Sequence, residues 1–165
     1  TQSRSSAASD VYKRQFAMRS PVTTKHITAA NRNQWDASAK YHEQSDQWPA
    51  LKLGFAEKSY SVLDDIVSAA LTSAGVDGAK LVQIGCNNGR EILSTFSLGA
   101  RRGLGLDQSQ QFLQQAQTLQ AISGHNCQFL CRDIYALPNN IEQDFDIALI
   151  TIGVLNWMPD LIRFF

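Results

Sequence analysis

The feature that most restricts the fold of this chain is an alternation of short apolar runs and helical patterns that begins at residue 80. The apolar runs occupy residues 80–85, 102–107, 127–132 and 145–151. Helical spacing of apolar residues fills 90–98 and 109–123 between them. Strands that alternate with helices at this interval predict β-α-β units and a parallel sheet. We therefore expect an α/β fold with a doubly wound parallel sheet of four strands and a last helix with Pro159 in its first turn.

The chain divides into three predicted parts. Residues 5–15 read SSAASDVYKRQ, which looks like the translation of a sequencing adapter, so residues 1–15 are expected to be a non-native, disordered head. Residues 16–58 are predicted to form an N-terminal helical cover segment, with a helix near 29–45. Residues 59–165 are predicted to form the partial α/β domain, which begins with a helix at 59–73.

Composition and cysteine content restrict the function further. The formal net charge is zero, so no overall field attracts nucleic acid or an anionic membrane. No apolar run approaches the roughly 20 residues of a membrane helix, and no signal peptide is visible. Cys127 and Cys131 lie on one predicted strand, about 13 Å apart, too far to share a metal or a disulfide. We expect a cytoplasmic protein with buried thiols, no metal, no nucleic-acid partner and no membrane partner; the sequence leaves the oligomeric state open.

The turn after the first predicted strand is rich in residues that tolerate positive φ. It reads Gly85-Cys86-Asn87-Asn88-Gly89. Glycine adopts such a conformation freely and asparagine does so more readily than most residues. The turn would let a ligand approach the backbone at a helix N-terminus, although any short β-α turn favours the same residues.

Polar residues also follow the next three strands. Asp107, 22 residues after Gly85, can accept two hydrogen bonds from a ribose diol, a role with a usual spacing of about 20; capping the next helix is the alternative. Asp133 can accept from an adenine amino group while the Ile134 N–H faces a ring nitrogen, or it can be a surface residue. Thr151 ends the fourth strand. Ligands of doubly wound sheets bind at these strand tips.

Together these residues resemble the class I S-adenosylmethionine-dependent methyltransferases of the small-molecule type. The resemblance covers roughly residues 80–161 and is carried by LVQIGCNNGREILSTFSLGA, GLGLDQS, CRDIYALP and FDIALITIGVLNWMPDL. It implies a Rossmann-like sheet in the order 3-2-1-4 and an enzyme that transfers a methyl group from S-adenosylmethionine to a small-molecule acceptor. The cofactor residues that it implies are Gly85, Cys86, Asn87 and Gly89 for the methionine part, Asp107 for the ribose, and Asp133 and Ile134 for the adenine, with Gln108 and Thr151 beside them.

The chain departs from the family pattern at two positions. Gln83 stands where an acid is usual, and Asn87 stands where the middle glycine of the first motif is usual. The resemblance also implies three further strands. We therefore expect the chain to be truncated at both ends and inactive by itself.

Two other functions stay open, and the catalytic residues are unknown. An NAD(P)-dependent oxidoreductase needs glycines at relative positions 1, 3 and 6, where this chain has Gly85, Asn87 and Arg90. A non-catalytic relative that binds a nucleoside is the other alternative. Tyr41 and His42 in the cover segment are the candidates for a general base, with a solvated helix face as the alternative for both.

Overall fold

The computed structural model describes residues 23–151 and 153–165, so the predicted adapter-like head lies outside the described residues. Two helices precede the sheet: α1 at Thr24–Glu43 and α2 at Gln47–Phe55. Helix α1 begins earlier than the predicted residue 29 because the Thr23 side chain caps it, accepting from the His26 N–H. Helix α2 was not predicted, although Trp48, Leu51 and Phe55 form its buried side.

The sheet has four parallel strands in the order β3-β2-β1-β4, as predicted. The strands are β1 at Lys80–Ile84, β2 at Arg102–Asp107, β3 at Cys127–Cys131 and β4 at Ile147–Leu149. Strand β4 is shorter than the predicted 145–151. Its ladder begins at Ile147; just before it, the Asp146 N–H donates to the Lys80 carbonyl at 2.9 Å and the Asp146 carboxylate accepts from the Lys80 N–H at 2.8 Å.

Four helices accompany the strands: α3 at Asp65–Ser73, α4 at Arg90–Ser94, α5 at Gln110–Ser123 and α6 at Leu161–Phe164. The predicted start of the helix at residue 59 is wrong, because Asp64 caps α3 by accepting from the Val67 N–H. The predicted helix at 90–98 is α4 followed by a 3-10 turn at Thr95–Leu98. Pro159 lies before α6 and not in its first turn, since Asp160 is the capping residue.

Apolar side chains of the helices pack on one face of the sheet. There α2, α4 and α5 enclose a cluster that includes Phe55, Ile92 and Leu119. On the same face α3 packs Leu71 against Leu81 of β1, the register partner of Gly103, which lies against Ile92. Full burial of such a side chain stabilises a fold by about 1.5–3 kcal/mol. This packing fixes the strand tips relative to one another, which is what a site built at those tips requires.

No described helix has both the length and the hydropathy needed to cross a membrane.

Candidate functional site

A cavity of about 260 Å³ lies at the carboxyl ends of the strands. Residues after all four strands line it, together with residues of α1. The predicted cofactor residues that line it are Gly85, Asn87, Asp107, Gln108, Asp133, Ile134 and Thr151. The turn after β1 and the two acids therefore surround one common hollow.

The turn after β1 wraps around the end of β2. Gly85 and Cys86 both donate their backbone N–H to the carbonyl of Leu106, at 2.8 and 3.0 Å. Asn87 has a φ of 52°, in the left-handed region that asparagine tolerates, and its N–H donates to Asp107 Oδ2 at 2.8 Å. The loop and the strand-two acid thus form one hydrogen-bonded unit.

Two of the predicted loop residues, Cys86 and Gly89, do not line the cavity. The Cys86 side chain is fully buried beside Leu113 and Ala116, and this burial raises the pKa of its thiol well above the ordinary value. Gly89 has a φ of 73°, and a Cβ there would lie 2.6 Å from Cζ of Phe129. Both residues serve the packing of the loop onto the sheet.

Asp107 has both carboxylate oxygens anchored from the protein side. Oδ1 accepts from the Ser109 N–H and Oδ2 from the Asn87 N–H, both at 2.8 Å. The pKa of Asp107 lies above its ordinary value because the carboxylate is buried. The N–H donors act in the opposite direction and offset only part of this increase. A carboxylate offers about four acceptor positions, so two N–H donors leave capacity for a ligand in the cavity that Asp107 lines.

The turn after β3 presents Asp133, Ile134 and Tyr135 to the cavity. Asp133 Oδ1 accepts from the Tyr135 N–H at 3.0 Å. The Tyr135 hydroxyl donates to the carbonyl of Asp160 at 2.8 Å, and the Arg163 guanidinium donates to the Tyr135 carbonyl at 2.8 Å. These bonds fix the turn against the start of α6.

A buried amide connects the tips of β1 and β4 with α4. Gln83 is fully buried, and its Nε2 donates to Glu91 Oε2 at 2.9 Å and to Thr151 Oγ1 at 3.3 Å. Its Oε1 accepts from the Ile92 N–H at 3.1 Å. Glu91 and its neighbour Arg90 line the cavity, and neither was among the predicted site residues. The sequence does contain a signal for Glu91. The acid that is usual in the first motif is absent at Gln83, and the next acid in the chain is Glu91, eight residues later.

Helix α1 lies along the cavity as a cover. Thr28, Trp35 and His42, spaced by seven residues and so on one face of the helix, all line it. The Trp35 ring meets the Trp157 ring edge to face with 5.1 Å between centroids. Asn31 donates to the Trp157 carbonyl at 2.8 Å, which ties the helix to the turn after β4.

Helix α1 is also attached to the start of α5. The Ser109 hydroxyl donates to Asp36 Oδ1 at 2.7 Å, and the His42 ring lies edge to face against Phe112 with 5.1 Å between centroids. The two candidate bases therefore differ in position. His42 faces the cavity, whereas Tyr41 is 64% exposed and does not line it.

Within the described residues, no three His, Cys, Asp or Glu side chains come together in a group that could hold a metal. Cys127 and Cys131 lie at opposite ends of β3, as the predicted strand required.

Solved structures share the fold of this chain. A S-adenosylmethionine-dependent methyltransferase from Clostridium acetobutylicum matches with a TM-score of 0.50 and 20% identity, over 62% of this chain and 43% of that one. Magnesium protoporphyrin IX methyltransferase from Synechocystis, with bound S-adenosylhomocysteine, matches with a TM-score of 0.52 and 15% identity, over 75% and 57%. A Methanococcus maripaludis protein assigned to the S-adenosylmethionine-dependent methyltransferases matches with a TM-score of 0.53 and 15% identity. The match covers 88% of this chain and 57% of that one.

The chain spans about half the length of these proteins. No curated protein sequence matches it significantly. The sequence profile of the methyltransferase domain family matches residues 81–165, just over half of the 165 residues. That match covers all four strand tips of the sheet and the turns that line the cavity. On this ground the chain belongs to the methyltransferase domain family.

Proposed function

We propose that this chain binds S-adenosylmethionine and that the protein transfers the methyl group to a small-molecule acceptor. The observation that carries the proposal is that Gly85, Asp107 and Asp133 line one cavity at the strand tips. Membership of the methyltransferase domain family supports the same reaction class.

The lining residues fit a nucleoside attached to an amino acid. Asp107 keeps acceptor capacity for the two ribose hydroxyls after its two N–H bonds are made. Asp133 and the Ile134 N–H would hold the adenine, with Gln108 beside the ring. The open backbone of Gly85 and Asn87 would lie along the methionine part. Apolar groups such as Ile84, between these polar positions, supply the walls that a purine needs.

When bound, the sulfonium centre supplies a methyl group that is already activated for transfer. The residues of this chain would then position the acceptor in line with that group and keep water away. Trp35 and Trp157, in contact at the cavity edge, fit the second task. If the acceptor must lose a proton, His42 is the better placed of the two candidate bases, because it lines the cavity and Tyr41 does not.

A small acceptor and a cytoplasmic location are parts of the same proposal. The zero formal net charge gives no field that would gather a polyanion such as nucleic acid. The partial cover that Thr28, Trp35 and His42 of α1 give the cavity favours a small molecule over a macromolecular acceptor.

The test is a set of calorimetric titrations with S-adenosylmethionine, S-adenosylhomocysteine and NAD. We expect the first two to bind and NAD to bind much more weakly, because Asn87 and Arg90 occupy two of the three glycine positions of the dinucleotide motif. Asp107→Ala should weaken both sulfur nucleosides by about 1–3 kcal/mol, the scale of a lost charged hydrogen-bond partner. Preferential binding of NAD, or unchanged affinity in Asp107→Ala, would contradict the proposal.

A further inference from the structure

We infer that Glu91 binds the α-ammonium group at the amino-acid end of the cofactor, in place of the acid that Gln83 replaces in the first motif. This inference rests on the proposed function and assigns a ligand-binding role to a residue outside the predicted site.

The side chain of Gln83 is not available to a ligand, because it is fully buried. Its amide donates to Glu91 and Thr151 and accepts from the Ile92 N–H, and it is fully buried away from the cavity lining. A neutral amide also cannot balance the charge of an ammonium group. An acid at this position would carry that charge, so the replacement removes a negative charge from the strand tip.

Glu91 supplies a negative charge next to Gln83, at the tip of β1. Glu91 lines the cavity, and its side chain is 24% exposed. The bond of 2.9 Å from Gln83 Nε2 occupies one acceptor position of Oε2 and orients the group. The remaining positions of a carboxylate are available to an N–H donor from the cavity.

In the free protein Glu91 is paired with Arg90, and a ligand could displace this partner. Arg90 Nε lies 3.6 Å from Glu91 Oε1, and the Arg90 side chain is 39% exposed. Ion pairs of this exposure are worth only about 0–1 kcal/mol. An ammonium group held on a bound ligand can therefore compete for the carboxylate, and Arg90 can turn toward solvent or toward the ligand carboxylate.

The position of Glu91 along the cavity agrees with this role. With the ribose at Asp107 on β2 and the adenine at Asp133 after β3, the amino-acid end must extend the other way, toward β1 and β4. Glu91 lies on that side, connected through Gln83 to Thr151 at the tip of β4.

The experiment compares ligands that differ only at this end, in the wild type and in Glu91→Gln. The probes are S-adenosylhomocysteine, its analogue with hydrogen in place of the α-amino group, and methylthioadenosine, which lacks the amino acid. Glu91→Gln keeps the shape and an acceptor for Gln83 while it removes the charge. We expect it to weaken S-adenosylhomocysteine about tenfold or more and to leave the other two ligands nearly unchanged.

The remaining outcomes decide against the inference. Equal losses for all three ligands would mean that Glu91 acts only by supporting the loop, and no loss for any ligand would mean that it does not face the ammonium group. Asp107→Ala is the matched control, since it should weaken all three ligands alike. If the wild type binds none of them, the proposed function fails and this inference fails with it, whereas a failure confined to Glu91 leaves the proposed function standing.

Discussion

Asp107 is the residue on which the proposed site depends most. It ends β2, accepts from the backbone of two segments and faces the cavity, so it both shapes the loop and offers oxygens to a ligand. Its position at a strand tip could be predicted because an acid directly after an apolar run marks the end of a strand. The same reasoning located Asp133.

The side-chain directions within the loop after β1 were harder to predict. Cys86 and Gly89 belong to the same five-residue turn as Gly85 and Asn87, yet they pack inward. Glu91 was missed for the complementary reason. The start of its helix at Arg90 was predicted correctly, but the side of the helix that faces the cavity depends on how α4 packs on the sheet.

The raised pKa of Asp107 leads to a pH prediction. Burial is the main cause of the increase, and the nearby Asp36 carboxylate adds to it. Because only the ionised carboxylate can accept from both ribose hydroxyls, a bound ligand stabilises the ionised form and lowers that pKa. Affinity for S-adenosylhomocysteine should therefore be constant at neutral pH and fall as the pH drops through the pKa of Asp107, by at most about tenfold per pH unit for one coupled proton.

Calorimetry across acid to neutral pH would measure this dependence, with Asp107→Asn as the matched variant. The variant should bind more weakly and lose that part of the pH dependence. An identical acid profile in both proteins would show that another group is responsible.

At the level of elements, the glycine at the start of α4 determines how closely that helix approaches the sheet. A Cβ at Gly89 would meet Phe129 of β3 at 2.6 Å and Ala116 of α5 at 3.0 Å. Helix α4 can therefore lie against β3 and α5 only while position 89 has no side chain. The cavity depends on this contact, because α4 carries Glu91.

Gly89→Ala should consequently destabilise the fold by about 2–5 kcal/mol. Overpacking costs about 1–3 kcal/mol and a left-handed non-glycine residue about 1–2 kcal/mol. The matched control is Gly124→Ala, which has a φ of 66° but no atom within 4 Å of the added Cβ. Urea unfolding should show a clearly larger loss at position 89, and equal losses at the two positions would rule out the packing explanation.

The differences between predicted and observed elements have local causes. Side-chain caps at Thr23 and Asp64 move two helix starts. Helix α2 has too short an apolar pattern to be distinguished from a loop in sequence, and packing against α5 stabilises it. Propensity indicates that an element is present, whereas caps and tertiary contacts set its ends.

At the scale of the whole molecule, the parallel sheet and its strand order could be predicted because the alternation of strands and helices leaves few topologies open. The path of α1 along the cavity could not be predicted from the sequence. That path depends on contacts between residues far apart in the chain, such as Asn31 with the Trp157 carbonyl and Asp36 with Ser109. These contacts hold α1 beside the cavity, so that the helix covers part of it.

A crystal structure of the chain with S-adenosylhomocysteine would show whether the strand tips surround a single adenosine. We expect both ribose hydroxyls within about 2.5–3.0 Å of the Asp107 carboxylate and the adenine amino group against Asp133. A nucleoside bound elsewhere on the chain, or bound in this cavity with its ribose away from Asp107, would contradict this expectation.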